Sequence, residues 1–274
     1  MPDHYFETLE PVDLQVEIGK GSVAVTCTDT TETRIEVEGR DADQTRVEQH
    51  GSRIDVIGPR QRGGFFGSDS DLRVTALVPT ASHLAVKTGS ADVTIAGDAG
   101  AVAVKSGSGD VQVSTSRGPS LIETGSGDIK VEHAQSELRV KSGSGDVRLG
   151  HGDAAVAVST GSGDVEIGTA RAVAVVKTGS GDLRVGESHD DVSLATGSGD
   201  FVIDHVHRGR LSVKGASGDV RVGIPAGLPV WTDLTTVAGS IRSSLEGAGQ
   251  PVDGQDHVEL RAKTVSGDIV LTQI

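Results

Sequence analysis

Carboxylates recur in this sequence at a fixed spacing. Gly-Ser-Gly-Asp followed by an aliphatic residue places Asp110, Asp128, Asp146, Asp164, Asp182 and Asp200 each 18 residues after the last, and Asp92 stands in a degenerate first copy in the same phase. Asp219 comes 19 residues after Asp200; Ala238-Gly239-Ser240-Ile241 is a decayed copy, and Val265-Ser266-Gly267-Asp268-Ile269 is a clean final one. If the copies stack at the strand spacing of about 4.8 Å, ionised neighbours repel by roughly 1 kcal/mol per pair in water. Two arrangements relieve this. A cation such as calcium can sit between copies, or each carboxylate can accept from backbone N–H groups of its own turn. In the second case Lys87, Lys105, Lys141, Lys177 and Lys214 offset the charge. Calcium-binding solenoids use Gly-Gly-x-Gly-x-Asp nonapeptides. One aspartate per 18 residues is about half that ligand density, so turn capping is the preferred reading.

A second cluster lies at a variable corner of the repeat. His189 and His207 are 18 residues apart, as are Glu187 and His205, so stacking places all four on two adjacent copies, with Asp190 and Asp191 alongside. Imidazoles and a carboxylate in this pattern are a donor set for zinc or another transition metal. The extra residue of the 19-residue step falls near His205 to Arg210, which leaves the register open there. His133 and His151 are also 18 apart, so stacked histidines arise here without a four-ligand set. The plainer reading is a polar corner facing water, with no bound metal and no cofactor.

Nucleophilic chemistry has weaker support. Serine and aspartate abound but repeat with the period, whereas a catalytic set should break it. Cys27 is in phase with Val23 and Val25, the place of a small core residue. Serine-hydrolase elbows and phosphate loops both require a following helix, and no helical periodicity is present. Polysaccharide-cleaving β-helices build a cleft from long loops; this array has few insertions before residue 223. The expectation is a protein that is not an enzyme. Ser and Thr at 88, 106, 124, 142, 160, 178 and 196 form a hydroxyl column like the ranks of ice-binding solenoids. They run in phase with inward valines, so they are expected to point inward.

The elements that position these residues are short strands. After each aspartate comes an alternating pair (Val111/Val113, Ile129/Val131, Val147/Leu149, Val165/Ile167, Leu183/Val185, Phe201/Ile203), and before each glycine another (Val102/Val104, Leu138/Val140, Val156/Val158, Val192/Leu194). Period-2 alternation of β-branched residues bounded by glycine turns predicts strands with one buried face. Identical 18-residue coils then predict an all-β parallel β-helix, or β-solenoid, with two main strands per coil. Residues 1–80 keep strand patterns without the glycine repeat and read as a lead-in and cap continuous with the solenoid. Residues 81–274 form the repeat region, with an irregular C-terminal cap at about 223–263 that includes Trp231 and a loop around Ser244 to Asp256. Arg60 to Ser70 is a Gly- and charge-rich loop carrying Phe65-Phe66.

Composition narrows the function. The 274 residues are 35% hydrophobic but only 2% aromatic, and 25 basic against 39 acidic residues give −14. Nucleic-acid binders need cations for phosphate and aromatics for stacking, so nucleic acid is not an expected partner. A single cysteine excludes an intramolecular disulfide framework. The start Met1-Pro2-Asp3-His4-Tyr5-Phe6-Glu7 lacks the basic and apolar regions of a secretory leader, and the longest apolar run, Ala172 to Val176, is far too short to span a bilayer. The expectation is a soluble bacterial-type protein of the cytoplasm, or of the cell surface if a leader has been removed, with no membrane insertion.

The layout resembles the bacterial "putative adhesin" family of β-strand-repeat proteins. The matching features are a strand-rich lead-in, Leu72-Arg73-Val74-Thr75-Ala76-Leu77-Val78-Pro79, coils such as Lys177 to Val185 (Lys-Thr-Gly-Ser-Gly-Asp-Leu-Arg-Val), and the closing Thr264-Val265-Ser266-Gly267-Asp268-Ile269. The resemblance implies a right-handed single-stranded β-helix, no known catalytic residues and a binding rather than chemical task. Outward positions carry the differences between coils. On one sheet they are Gln112, Lys130, Arg148, Glu166, Arg184, Val202 and Arg221, a locally basic stripe. A scaffold or adhesin-like module associating with a protein through Lys130, Arg148, Arg184 and Arg221, or with itself coil to coil at a poorly capped end, is the expected function. A metal-binding solenoid is the alternative.

Overall fold

The structure, a computed structural model, describes residues 3–59, 71–247, 249 and 254–274. The Phe65-Phe66 segment and part of the loop around Ser244 to Asp256 lie outside the described residues. Apart from one short 3-10 turn at Ala42–Gln44, the regular elements among the described residues are all strands. The chain divides into two compact units, Met1–Ser136 and Glu137–Ile274, so the division falls inside the repeat array.

In the first unit the long strand Asp13–Thr28 is a complete coil. It runs parallel to His83–Ala99 with Leu14 opposite Leu84, Val16 opposite Val86, Val23 opposite Val93 and Val25 opposite Ile95. Val102–Ser106 and Val111–Ser116 stack on that coil, followed by Ser120–Thr124 and Ile129–Ala134, each at an 18-residue offset. On its other side Asp13–Thr28 pairs in parallel with Arg53–Ile57 and Asp71–Pro79. The pairing then turns antiparallel: Arg46–His50 lines Arg53–Ile57, while Glu32–Gly39 lines Asp71–Pro79 and Asp3–Glu7 lines Glu32–Gly39. The outermost strands, DHYFE and RVEQH, are rich in charge, which discourages a further strand from adding to that edge.

In the second unit two parallel ladders alternate. One comprises Leu138–Ser142, Val156–Thr160, Ala174–Thr178, Val192–Thr196 and Gly209–Lys214. The other comprises Val147–Gly152, Val165–Ala170, Leu183–Ser188, Phe201–Val206 and Val220–Ile224. Val147, Val165, Leu183, Phe201, Val220 and Ile269 form a column of core side chains, none more than 2% exposed. The hydroxyl column also turns inward: Thr88, Ser106, Thr124, Ser142, Thr160 and Thr178 are buried, Thr196 is half-buried, and Thr264 of the last coil in sequence is buried as well.

Within the region expected to be an irregular cap, strands form at both ends. Val230–Ala238 and Ile241–Ser243 form a coil, but its neighbour is the last coil in sequence, not the preceding one. Val258–Ser266 lies between Gly209–Lys214 and Val230–Ala238, and Ile269–Gln273 lies between Val220–Ile224 and Ile241–Ser243. The chain thus passes over one layer and returns to fill it. Composition explains the choice. Val258, Leu260, Ala262, Ile269 and Leu271 supply an aliphatic face that can be covered on both sides, whereas the matching positions of the earlier segment are Val230, Thr232, Leu234, Ile241 and Ser243, two of them polar.

The constant glycines serve close approach. A Cβ on Gly109 or Gly163 would lie 2.0 Å from the carbonyl oxygen of Ala91 or Gly145 one coil earlier, so any side chain there would wedge the coils apart.

Candidate functional site

The repeat aspartates do not cap their own turn, as the sequence reading expected. Within each unit they reach to the adjacent coil, where Oδ1 accepts the backbone N–H of the next aspartate in the column. In the first unit Asp110 N donates to Asp92 at 3.0 Å and Asp128 N to Asp110 at 2.9 Å. In the second the chain of bonds runs from Asp146 through Asp164, Asp182, Asp200, Asp219 and Asp268 at 2.7–3.0 Å. Ser240 N closes it on Asp268 at 2.8 Å. Ser240 belongs to the outermost coil, which among the described residues has no later N–H to meet, so the decayed copy can dispense with a carboxylate. The turn's own N–H is met by the inward hydroxyl column, as in Gly163 N to Thr160 Oγ1 at 3.0 Å and Gly181 N to Thr178 Oγ1 at 3.0 Å.

At Asp146, Asp200, Asp219 and Asp268 the charge is offset by arginine. Arg148 reaches Asp146 Oδ2 at 3.2 Å, Arg221 reaches Asp219 Oδ2 at 2.6 Å and Asp200 at 3.6 Å, and Arg242 reaches Asp268 at 3.4 Å. Lys87 and Lys105 instead pair with Glu17 and Glu123. An arginine two residues after its aspartate lies on the same strand face, a signal present in Asp146-Val147-Arg148 and Asp219-Val220-Arg221. The Ser240 N–H, with Arg242 and Arg221 nearby, holds the Asp268 carboxyl below the usual aspartate range.

The same pairs change the reading of the outward stripe. Lys130, Arg148, Arg184 and Arg221 face solvent, as alternation requires. Each stands beside a carboxylate: Lys130 pairs with Glu132, Arg148 also with Glu166, and Arg184 with Asp204 at 2.9 Å.

At the histidine corner the extra residue falls after His207, within the turn where Gly209 adopts φ +102°. Glu187 is therefore still paired with His205 and Ser188 with Val206, while Val192 pairs with Leu211. His189 and His207 stack face to face, with centroids 4.1 Å apart and planes 4° from parallel. Their Nε2 atoms lie 3.5 and 4.0 Å from the same oxygen, Glu187 Oε2. Among the described residues Glu187, His189 and His207 are the group whose donor atoms converge, all within 4.8 Å; His205 is not in it. Asp190 and Asp191 are engaged elsewhere, accepting the N–H groups of Asp191 and Arg210.

Sequence reasoning missed the edge of the second unit. Among the described residues Val230–Ala238 pairs on one side only, with Val258–Ser266. Trp231, Val237 and Ile241 are 52%, 79% and 47% exposed, and Arg261 lies over the Trp231 ring at 5.3 Å. The only charged residue in VWTDLTTVA is Asp233. The lone cysteine offers no alternative site: Cys27 is buried, and desolvation, with Asp98 nearby, pushes its thiol up to about 11. No helix among the described residues is long and apolar enough to cross a membrane.

The Toastrack DUF4097 family model matches residues 13–185 and 122–272. No curated protein matches the sequence. Among solved structures, a "putative adhesin" from Bacteroides fragilis NCTC 9343 is 17% identical, with a TM-score of 0.51 over 81% of this chain and 96% of that one. A "putative lipid binding protein" from Parabacteroides distasonis ATCC 8503 is 13% identical, with a TM-score of 0.46 over 99% and 96% of the two chains. At such identity the first likeness bears on fold alone.

Proposed function

The chain belongs to the Toastrack DUF4097 family, and from that premise we propose that it is a non-catalytic, adhesin-like binding module that associates coil to coil with a second copy of itself. The observation that carries this is the edge strand Val230–Ala238. A solenoid coil presents a row of backbone donors and acceptors on each edge, and an edge left without charge or cover is a template for another strand. The first unit's outer strands are charged, whereas this one is nearly neutral and β-branched. Its inward positions Leu234 and Ile241 remain partly exposed, unlike the fully buried Ala262 and Ile269 one layer below. A second copy, itself a coil edge of the same spacing, covers both the backbone row and this open end of the core. A two-fold arrangement, with the same strand on both partners, gives a closed dimer.

The absence of catalysis is supported by what the candidate groups do. The repeat carboxylates are taken up by backbone N–H groups and arginines, and the cysteine is buried with its proton held on. Sedimentation velocity over a concentration series tests the assembly. The native chain is expected to dimerise, and Val237→Lys, at a fully outward position, to weaken dimerisation about tenfold or more, the equivalent of at least 1.4 kcal/mol. Arg148→Glu with Arg184→Glu is expected to leave it unchanged. A native chain that stays monomeric at every concentration, or a dimer indifferent to Val237→Lys, removes the reading.

A further inference from the structure

We propose that Glu187, His189 and His207 form a binding site for a borderline divalent transition metal of the zinc class. The argument begins with distances. An N–H···O hydrogen bond spans about 2.7–3.2 Å, and the two Nε2-to-Oε2 separations, 3.5 and 4.0 Å, are wider than that. Two donors bound tetrahedrally to zinc at about 2.0–2.1 Å lie roughly 3.3–3.4 Å apart. These two separations are therefore closer to the edge of a coordination tetrahedron than to a hydrogen bond, and the third pair of donor atoms lies within 4.8 Å.

The arrangement points the same way. The two imidazoles stack face to face at 4.1 Å beside one carboxylate oxygen, so a single cation placed among the three donors can be shared by both rings and the carboxylate. Protein cations close by are directed elsewhere. Arg171, one coil before His189, bonds Asp153 at 3.0 Å, and Arg208 bonds the His189 carbonyl and faces Asp256.

The fold explains why the donors are held. Ser188 and Val206 between them are buried in adjacent strands in register, so the flanking backbone is fixed at one coil spacing. Each imidazole needs only to rotate about its own side-chain bonds to turn its lone pair inward. All three side chains are solvent-accessible, between 35% and 52% exposed, so the ion can enter and water can complete the coordination. Zinc, cobalt(II) and nickel suit two imidazoles and one carboxylate; calcium, which prefers an all-oxygen shell, does not.

The test is titration of the full chain with zinc by calorimetry and with cobalt(II) by visible absorption, where a four-coordinate site gives an intensified band. His189→Gln and His207→Gln are each expected to weaken zinc binding by about tenfold or more, since even outer-shell changes cost that much. His205→Gln, next door but outside the group, is expected to leave it unchanged. Far-UV circular dichroism confirms that the variants are folded, and Glu187→Gln supplies the same test if a histidine variant is not. No zinc binding by the native chain, or binding lost equally in His205→Gln, overturns the assignment. Running the titration also on Val237→Lys separates this result from self-association.

Discussion

Asp164 gives the sharpest test of the aspartate ladder. Its Oδ1 accepts the Asp182 N–H at 2.9 Å, while its own N–H donates to Asp146 at 3.0 Å. A hydrogen bond to an ionised acceptor contributes about 1.5–3 kcal/mol, and one to a neutral acceptor about 0.5–1.5 kcal/mol. Replacing the carboxylate also removes repulsion from its neighbours, about 1 kcal/mol per pair in water. Asparagine keeps an oxygen acceptor and gains this relief, so Asp164→Asn is expected to fall within about 1 kcal/mol of the native chain. Alanine gains the same relief but has no acceptor. The comparison of Ala with Asn therefore cancels the charge effect and isolates the bond, and Asp164→Ala is expected to be less stable than Asp164→Asn by about 1 kcal/mol. In a thermal melt this gap corresponds to about 2–4 °C, and urea titration followed by circular dichroism measures it directly. Alanine as stable as asparagine would refute the ladder. So would calcium raising the native midpoint by many degrees without affecting Asp164→Asn, because a cation bridge would then hold the coils.

Gly163→Ala places a methyl 2.0 Å from the Gly145 carbonyl oxygen and is expected to cost about 3 kcal/mol or more, read from the urea midpoint. Gly247→Ala, with open space around it, should be neutral in the same assay. The lowered pKa of Asp268 means that its contribution is fully present above the unfolded value near 3.9 and is lost as pH falls through the lower folded value. The native chain's advantage over Asp268→Asn should therefore shrink below about pH 4 in urea melts taken across acid pH; an advantage independent of pH would show that ionisation is not its source. Cys27, buried with its thiol raised to about 11, should resist a disulfide-exchange reagent at pH 8 in the folded chain and react at once in urea. Rapid labelling of the native protein would contradict its burial.

The solenoid was legible because its causes are local and repeated. Alternation in Val111/Val113 or Val165/Ile167 requires strands with one buried face, and an 18-residue period with glycine at one corner requires coils that stack in register. The inward turn of Thr160 and Thr178 follows from the same phase. What the sequence left open depends on which atoms meet across coils. Whether Asp164 bonds its own turn or the next one is decided by the displacement between layers, and the Ser-Gly-Asp motif reads the same either way. The histidine corner depended on which side of His207 the extra residue fell. Gly209, free to take a positive φ, absorbs it after that residue, which keeps His189 over His207 and leaves His205 opposite Glu187. The swapped order of the final coils was likewise invisible, because strand patterns specify a partner's shape and not its place in the chain. Tertiary structure set that order through burial: Val258–Ser266, with Leu260 buried at an inward position, lies where both its neighbours can cover it, and Val230–Ala238, with Thr232 at the matching position, is left at the edge.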